Sequence, residues 1–310
     1  MGVMAGYFGS YGDRLRIPIN INQFVNGVRP YVRLSATSPI QPGAALGNIT
    51  EVESTGYSHY KGLWVTANHR MTHGLQFSAS YTLSKSTDTN SFDAGIVSQD
   101  SYNIAGSEGP SDFDVRHRFS VNGTYELPLH GNRLKEGWQV VVVSQVQSGG
   151  PFNVVTNINT FTGVNNTLRP DLVGDPASSG SVNQWFNNSV CDPRIAGSCT
   201  PSSVFALPVS PGGVFHFGNL ARNAILGPAF SDTDLSIIKN VRTAGRARVQ
   251  LRVEAFNVFN QANLGLPGPG VAGRTAAVGS TSFGVITNTR FPTGDSGSSR
   301  QVQFAAKLLF

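Results

Sequence analysis

Apolar and polar residues alternate along several stretches of the chain. Between Leu75 and Leu83, leucine, phenylalanine, alanine and tyrosine take every second position, and glutamine, serine and threonine take the positions between them. Alternation with period two is typical of a β-strand with one apolar and one polar face. The pattern leaves the segment 282–290 ambiguous and predicts strands at about 2–10, 58–70, 74–86, 113–127, 137–148, 230–242, 245–259 and 300–310.

The connections between these strands alternate in length. Long segments rich in Gly, Pro, Asn and Ser, the longest at about 149–229, alternate with short turns at about 71–73, 128–136 and 243–244. All the long loops therefore lie at one end of the sheet and all the short turns at the other. An outer-membrane β-barrel has this arrangement, with long extracellular loops, short periplasmic turns, and strands that are apolar towards lipid and polar towards the lumen.

The predicted fold class is all-β: an antiparallel transmembrane β-barrel segment, located in the cell outer membrane and in contact with its lipid. Only a closed barrel lets strands cross lipid without an unpaired edge. The alternative is a soluble β-sandwich, which would leave much of the chain as structureless loop. Such long loops are unusual in a compact soluble domain.

On the clearest predicted strands the apolar faces carry no Lys, Arg, Asp or Glu, and the charged residues fall on the opposite faces. A lysine or arginine that faces lipid at mid-bilayer costs about 2–4 kcal/mol, so these polar faces are expected to line the lumen. One interpretation of this lumenal charged wall is a surface that contacts a substrate or a plug. The favoured interpretation is an ion-pair ladder in which opposite charges satisfy one another. The wall consists of Asp112, Asp114, Arg116, Arg118, Arg248, Arg252 and Glu254.

Composition excludes several classes of function. The 310 residues carry a formal net charge of +5, but only 13% are charged and the basic residues are scattered, which argues against a nucleic-acid surface. The segment "GPGVAG" matches GxGxxG formally, yet no helical pattern follows it, so no dinucleotide cofactor is expected. His69 and His73 straddle a predicted tight turn, which disfavours a zinc site. We expect no catalytic residues, no cofactor and no metal, and therefore no enzyme.

The longest predicted loop contains both cysteines and several aromatic residues. Cys191 and Cys199 have no further soft metal ligands nearby, and export passes through an oxidising periplasm, so a disulfide is the favoured prediction. The aromatic side chains of the long loops either stack on a ligand or pack the loops together, and the sequence leaves both possibilities open. They are Tyr102, Phe161, Trp185, Phe186, Phe215 and Phe217.

Several segments resemble the C-terminal barrel of TonB-dependent outer-membrane receptors. They include "SDFDVRHRFSVNGTYELP", "GNLARNAILGPAFSDTDLSIIKNV", "RVQLRVEAFNVFNQANLGLP" and the terminal "RQVQFAAKLLF". The Oar-like group, whose members carry an N-terminal carboxypeptidase-regulatory-like domain, is the most similar. The resemblance covers nearly the whole chain apart from the large loop.

This resemblance implies a 22-stranded barrel with a plug domain and a TonB box. Neither is legible in residues 1–310, which are expected to form the C-terminal part of such a receptor. The implied function is import of a siderophore, oligosaccharide or peptide, with the plug and TonB as partners through the missing N-terminal part. The alternative is a stand-alone small barrel that acts as an anchor or adhesin. The last strand resembles the signal that the barrel-assembly machinery recognises, formed here by Phe304, Leu308 and Phe310.

Overall fold

The computed structural model describes residues 1–91, 98–158, 162–163, 167–243, 247–268, 275–290 and 299–309. One short 3₁₀ turn, Ala105–Ser107, accompanies the strands. In chain order the strands are β1 (Gly2–Asn20), β2 (Thr50–Thr72), β3 (Leu75–Asp88), β4 (Gly109–Pro110), β5 (His117–Glu126), β6 (Trp138–Gln147), β7 (Pro151–Thr156), β8 (Asp171–Leu172), β9 (Val190–Cys191), β10 (Phe205–Ala206), β11 (Ile225–Leu226), β12 (Phe230–Arg242), β13 (Arg248–Phe256), β14 (Thr275–Val278) and β15 (Gln301–Leu309).

Eight long strands form one antiparallel sheet in the order β1-β2-β3-β5-β6-β12-β13-β15, and the two-residue β4 adds to β3. Each long strand pairs with the next long strand along the chain. β1 and β15 are the two edges, and no pairing joins them in the described part of the chain. The eight predicted strands and the all-β antiparallel fold class are confirmed. Within that same part, no helix is both long and apolar enough to span a membrane.

The pairing register keeps the apolar residues of neighbouring strands on one face. Phe119 of β5 lies opposite Tyr81 of β3 and Val146 of β6, and Val253 of β13 lies opposite Phe304 of β15. A slip of one residue would move every apolar side chain of a strand to the other face. The sheet therefore has one largely apolar face and one largely polar face, although Met4, Phe8 and Trp64 of β1 and β2 lie on the polar side. The apolar face is uncovered, and Phe304 is 77% exposed.

The first two strands extend further than the sequence predicts. β1 continues to Asn20 and β2 already begins at Thr50, within a segment predicted as loop. Irregular pairing between Gly12 and Ile17 interrupts the alternation that the prediction relied on, and Arg14 has a positive φ of 55° there. Extra residues in one strand shift its register and bend it, as in a β-bulge. Beyond this point Ile17 is buried beneath the loops.

The four connections 21–49, 89–116, 148–229 and 257–300 lie at one end of the sheet, which we call the long-loop end. They are compact. β7 pairs with β11 and β14, and β10 pairs with β8 and β9. An apolar core lies between these strands, with Phe186 5.3 Å from Phe283 and 5.9 Å from Phe205, measured between ring centroids. The ambiguous segment 282–290 forms turns and one isolated bridge, Leu264 to Thr289.

The opposite end of the sheet, the short-turn end, carries tight connections. His73 and Gly74 join β2 to β3 with φ values of 52° and 80°. Two consecutive positive φ values match the twist of the flanking strands in a two-residue hairpin. At the next turn Trp138 donates from Nε1 to the Leu134 carbonyl at 3.0 Å, and the Lys239 ammonium lies 4.9 Å from the Trp138 ring.

Candidate functional site

An open cavity of about 820 Å³ lies at the long-loop end, where the connections 21–49, 89–116 and 148–229 meet. We call it the aromatic pocket. Its volume falls in the range of small-molecule sites, and like them it combines apolar rings with a few polar groups. Its lining residues are Gln23, Phe24, Val25, Asn26, Gly27, Asp100, Tyr102, Val214, Phe215, His216 and Phe217.

The structure divides the predicted loop aromatics into two groups. Tyr102, Phe215 and Phe217 line the aromatic pocket. Phe186 is fully buried in the apolar core of the loops, and Trp185 packs against that core. Phe161 lies outside the described residues. Phe186 and Trp185 thus pack the loops together, whereas Tyr102, Phe215 and Phe217 face an open cavity.

The first wall of the pocket begins where β1 ends. The Asn20 side-chain oxygen accepts from the backbone N–H of Asn22 and of Ile49, both at 3.1 Å. Asn22 in turn donates from Nδ2 to the carbonyls of Tyr31 at 2.8 Å and Gly47 at 2.7 Å. Both asparagines are fully buried. Buried amides with their hydrogen bonds satisfied fix the chain direction, which places Phe24 at the pocket.

Gln23 joins this wall to the second one. Its Nε2 donates to Asp100 Oδ1 at 3.1 Å, and its Oε1 accepts from the Ser101 N–H at 2.8 Å. Tyr102 follows directly, and its hydroxyl donates to the Ile21 carbonyl at 3.0 Å. These bonds hold the Tyr102 ring in place while it remains 57% exposed.

The third wall consists of residues 214–217 of the longest loop. His216 Nε2 lies 2.7 Å from Asp171 Oδ2, and the other oxygen of Asp171 accepts from the Asn219 N–H at 3.0 Å. These two bonds to Asp171 hold His216 and Asn219 in place. Phe215 and Phe217 lie on either side of His216 in the chain. A ligand in the pocket would therefore meet aromatic rings from three separate loops.

Buried arginines attach the longest loop to the connection 89–116. Arg169 donates from Nε to the Leu220 carbonyl at 2.7 Å and from an Nη to the Gly106 carbonyl at 3.0 Å. Gln99 accepts from the Arg169 N–H and donates to the Gly218 carbonyl. Burial, with a smaller contribution from the charge of Arg222, lowers the pKa of Arg169 to about 10, so the group stays charged at neutral pH.

Arg222 forms the second attachment. It pairs with Asp88 at the end of β3 and donates from Nε to the Ser107 carbonyl at 2.9 Å. Its Nη1 lies 3.5 Å from Asp112 Oδ1, which also accepts from Asn223 Nδ2 at 2.5 Å. Breaking a buried pair leaves an uncompensated charge, which is strongly destabilising. The loop that carries Phe215 and Phe217 is therefore anchored to the sheet.

The residues of the predicted charged wall do not all lie on strand faces, as the sequence analysis expected. β5 begins at His117, so Arg118 alone of its first four members lies in a strand. Asp112 is held by Arg222 and Asn223, and Asp114 accepts from the Ser86 N–H at 2.7 Å; both lie in the loop layer. Arg116 lies between them and β5. The prediction that Asp112, Asp114, Arg116 and Arg118 share one strand face was thus wrong. Asp112 is bound by residues of the longest loop and Asp114 by the backbone of β3, and both lie before the strand begins.

The other members of the wall lie on the polar face of the sheet. Arg118 is 3.5 Å from Gln145 Oε1 across the β5–β6 pair. Arg252 donates to Gln250 at 2.7 Å and lies 3.8 Å from Glu254 on the same strand. Arg248 faces Arg242 and Leu309 in the register of β13. These groups contact mainly amides, and Arg252 with Glu254 forms a single ion pair.

Cys191 and Cys199 are joined by a disulfide, with their Cα atoms 4.9 Å apart. The small loop that it closes contains an ion pair between Asp192 and Arg194 at 2.7 Å. The side-chain hydrogen bond from Arg194, and then its backbone hydrogen bond, lower the pKa of Asp192. The Arg194 guanidinium lies 6.0 Å from the Phe215 ring, so this loop borders the aromatic pocket.

Two residues of the predicted assembly signal lie in β15. Phe304 and Leu308 are on the apolar face, opposite Val253 and Val249. Phe310 lies outside the described residues. No cluster of three or more potential metal ligands occurs among the residues that the structure describes.

Sequence reasoning missed the arginines that fix the pocket and also Phe24. Arg169 and Arg222 lie in an irregular loop, where no periodicity separates a buried residue from an exposed one. For Phe24 a signal was present: it follows the polar run "NINQ", which ends an apolar strand. Buried, hydrogen-bonded amides directly after a strand hold the chain in one direction. An aromatic residue that follows them, such as Phe24, is then held in one position.

Comparison with known proteins gives a family assignment. Residues 1–303 match the family model described as outer membrane beta barrel domain. No curated protein matches the chain. Among solved structures, the crystal structure of the outer membrane transporter YddB from Escherichia coli is similar, with a TM-score of 0.42 and 10% sequence identity. The alignment covers 98% of this chain and 30% of that one, so the chain spans about 30% of the length of that transporter.

Proposed function

Because the chain belongs to the family of outer membrane beta barrel domains, we propose that it is the ligand-binding barrel portion of an outer-membrane transporter. The protein is located in the outer membrane, where the apolar face of its sheet meets lipid. In such barrels the long loops are extracellular. The aromatic pocket then opens to the outside of the cell, at the mouth of the polar face.

The observation that carries this proposal is the aromatic pocket itself. Phe24, Tyr102, Phe215 and Phe217 come from three loops, and each loop contains at least one buried hydrogen bond near these residues. A preorganised site avoids the cost of ordering loops on binding. Stacking surfaces with a few polar groups are suited to holding a ligand, and we propose that the protein binds and does not catalyse.

The pocket lining also favours one class of ligand among the three that the sequence suggested. It contains no lysine or arginine; its polar groups are two amides, one carboxylate and one imidazole. Two guanidinium groups border it, but Arg29 lies over the Phe24 ring and bonds to Asn22 and Asn48, and Arg194 pairs with Asp192. An anionic ferric siderophore would therefore find little free positive charge there. An uncharged oligosaccharide can stack its sugar faces on the rings and hydrogen-bond to the exposed Asn26 side chain. We therefore propose an oligosaccharide as the ligand.

The open edges of the sheet support the proposal of a larger barrel. In lipid each unpaired backbone group costs several kcal/mol, so β1 and β15 need partners. We propose that further strands of the same protein pair with them and that a plug fills the lumen. Import would then be TonB-dependent and driven by the proton gradient, as the resemblance of segments such as "GNLARNAILGP" suggests.

A glycan array tests the proposal. The complete protein, purified in a neutral detergent, is expected to bind uncharged oligosaccharides, and the Tyr102→Ala, Phe217→Ala double variant is expected to lose that binding. Phe113→Ala is the matched control, because Phe113 is an exposed loop aromatic outside the pocket. Failure of the wild type to bind any glycan, or equal binding by the double variant, would contradict the proposal.

A further inference from the structure

Two lysines face each other on the apolar side of the sheet, near the long-loop end. Lys61 of β2 lies directly opposite Lys85 of β3. Lys61 shares its face with Leu63 and Val65, and Lys85 shares its face with Leu83 and Tyr81, because side chains alternate along a strand. Both lysines are exposed. The pair thus ends the apolar surface that runs from Leu75 to Leu83.

The distance along the strand places this pair at the edge of the membrane. At about 3.3 Å per residue and a tilt of about 45°, the segment from Leu75 to Lys85 rises about 23 Å from the short-turn end. The apolar band of an outer-membrane barrel is about 25 Å tall. Lys61 and Lys85 therefore lie at the outer edge of this band, where their long side chains reach the outer-leaflet headgroups.

Aromatic residues just beyond the lysines mark the same boundary. His59 lies opposite Thr87 on this face, and the Tyr11 and Tyr57 rings lie 4.8 Å and 5.8 Å from the His59 ring. Amphipathic rings are enriched where a membrane meets water. The aromatic cluster is an observation independent of the strand length, and it puts the lysine pair on the membrane side of the interface.

Nothing in the described chain neutralises the two ammonium groups. Neither lysine has an ion pair or a side-chain hydrogen bond in that part of the protein. The carboxylate of Glu108 lies beyond them, where it accepts from the Tyr57 hydroxyl at 3.1 Å and from the Thr87 hydroxyl at 3.3 Å. Like charges directly opposite each other in a sheet are destabilising. An anion held between them would remove that repulsion.

We propose that Lys61 and Lys85 bind a phosphate group on the headgroup of an outer-leaflet lipid. Lysine binds phosphate as a point charge through charge-assisted hydrogen bonds, and two facing ammonium groups match the charge of one phosphate. The acyl chains of the same lipid lie along the apolar face below, against residues such as Leu63 and Leu83. This site is separate from the aromatic pocket and does not depend on transport.

The test measures binding of diphosphorylated lipid A to the complete protein in a neutral detergent. The Lys61→Gln, Lys85→Gln double variant is expected to bind it at least about tenfold more weakly, since bonds to charged groups are the stronger hydrogen bonds. The control is Lys307→Gln, which makes the same type of substitution once, on the polar face of β15, where Lys307 lies opposite Gln250. The control is expected to bind like the wild type.

Two further measurements show whether the phosphate belongs to a lipid or is free in solution. Dephosphorylated lipid A is expected to bind the wild type weakly. Its affinity should equal that of diphosphorylated lipid A for the double variant. Inorganic phosphate at the same concentration is not expected to compete, because it lacks the apolar contacts. Competition by phosphate, equal binding of the dephosphorylated lipid, or equal loss in the Lys307→Gln control would each overturn the proposal.

Unchanged lipid affinity in the double variant would overturn it as well. Electrophoretic mobility with and without heating checks that the double variant is folded. If it does not fold, the two single variants replace it, and each is expected to lose part of the affinity. Unchanged affinity in both single variants would contradict the proposal in the same way.

Discussion

Arg222 forms an ion pair with Asp88, a residue that lies 134 positions earlier in the chain. Asp88 is the last residue of β3, and Arg222 belongs to the longest loop. The two side chains are only 4% and 12% exposed. This contact fastens the loop that carries Phe215 and Phe217 to the end of a strand. The position of the aromatic pocket therefore depends on it.

Replacement of Arg222 by methionine should destabilise the loop layer. It removes the partner of a buried carboxylate, which costs about 3–5 kcal/mol when a buried pair is broken. Hydrogen exchange of residues 205–226 is expected to accelerate, while exchange in β5 and β6 stays unchanged. Arg194→Met is the control: its pair with Asp192 is exposed to solvent and screened, so little change in exchange is expected. Equal protection in the Arg222→Met protein would show that the ion pair does not anchor the loop.

A pair of adjacent valines tests which face of the sheet meets lipid. Val142 lies on the apolar face opposite Leu235, and Val143 lies on the polar face opposite Asp234. Val142→Arg is expected to lower the free energy of unfolding in lipid by about 2–4 kcal/mol, because arginine faces hydrocarbon there. Val143→Arg should have a small effect. The measurement is denaturant unfolding in phospholipid vesicles, and equal effects at both positions would contradict the assignment of the faces.

The disulfide between Cys191 and Cys199 should form in the exported protein. Intact cells that display the protein are expected to take up a membrane-impermeant thiol reagent only after treatment with a reductant. The closed loop also places Arg194 near Phe215, so reduction is expected to weaken ligand binding slightly. Efficient labelling of both cysteines without reductant would exclude the bond.

Deletion of Phe310 should impair assembly more than stability. The resemblance of the last strand to an assembly signal predicts less protein in the outer membrane, with the soluble periplasmic fraction degraded. Quantitative immunoblotting of membrane fractions measures this. The Phe256→Ala variant, which loses an aromatic side chain at the end of another strand, serves as the comparison. Normal membrane levels without Phe310 would remove the assembly role.

The strands could be predicted from sequence because a sheet with two different environments imposes period two on every strand. The segments around Phe119 and Val253 show this directly, and the same pattern fixes the register. At Gly12 to Ile17 the pairing is irregular, and the pattern and the prediction fail together. The pattern is therefore informative only where pairing is regular.

The candidate site could be predicted only in part. The sequence identified Tyr102, Phe215 and Phe217 as loop aromatics but could not separate them from Phe186, which packs in the core. Their difference arises from contacts such as Arg169 to Gly106 and Arg222 to Asp88, which join distant segments of irregular chain. No local pattern encodes such contacts, because each is a match between two loops.

The most direct test of the account is uptake of an oligosaccharide by intact cells that express the complete protein. A fluorescent derivative of the glycan that binds best on the array serves as the probe. The wild type is expected to accumulate it, and both the Tyr102→Ala, Phe217→Ala variant and wild-type cells with a collapsed proton gradient are expected not to. The Phe113→Ala variant should behave like the wild type. Equal accumulation by the pocket variant, at equal protein levels in the outer membrane, would contradict the proposal that this barrel binds its ligand in the aromatic pocket.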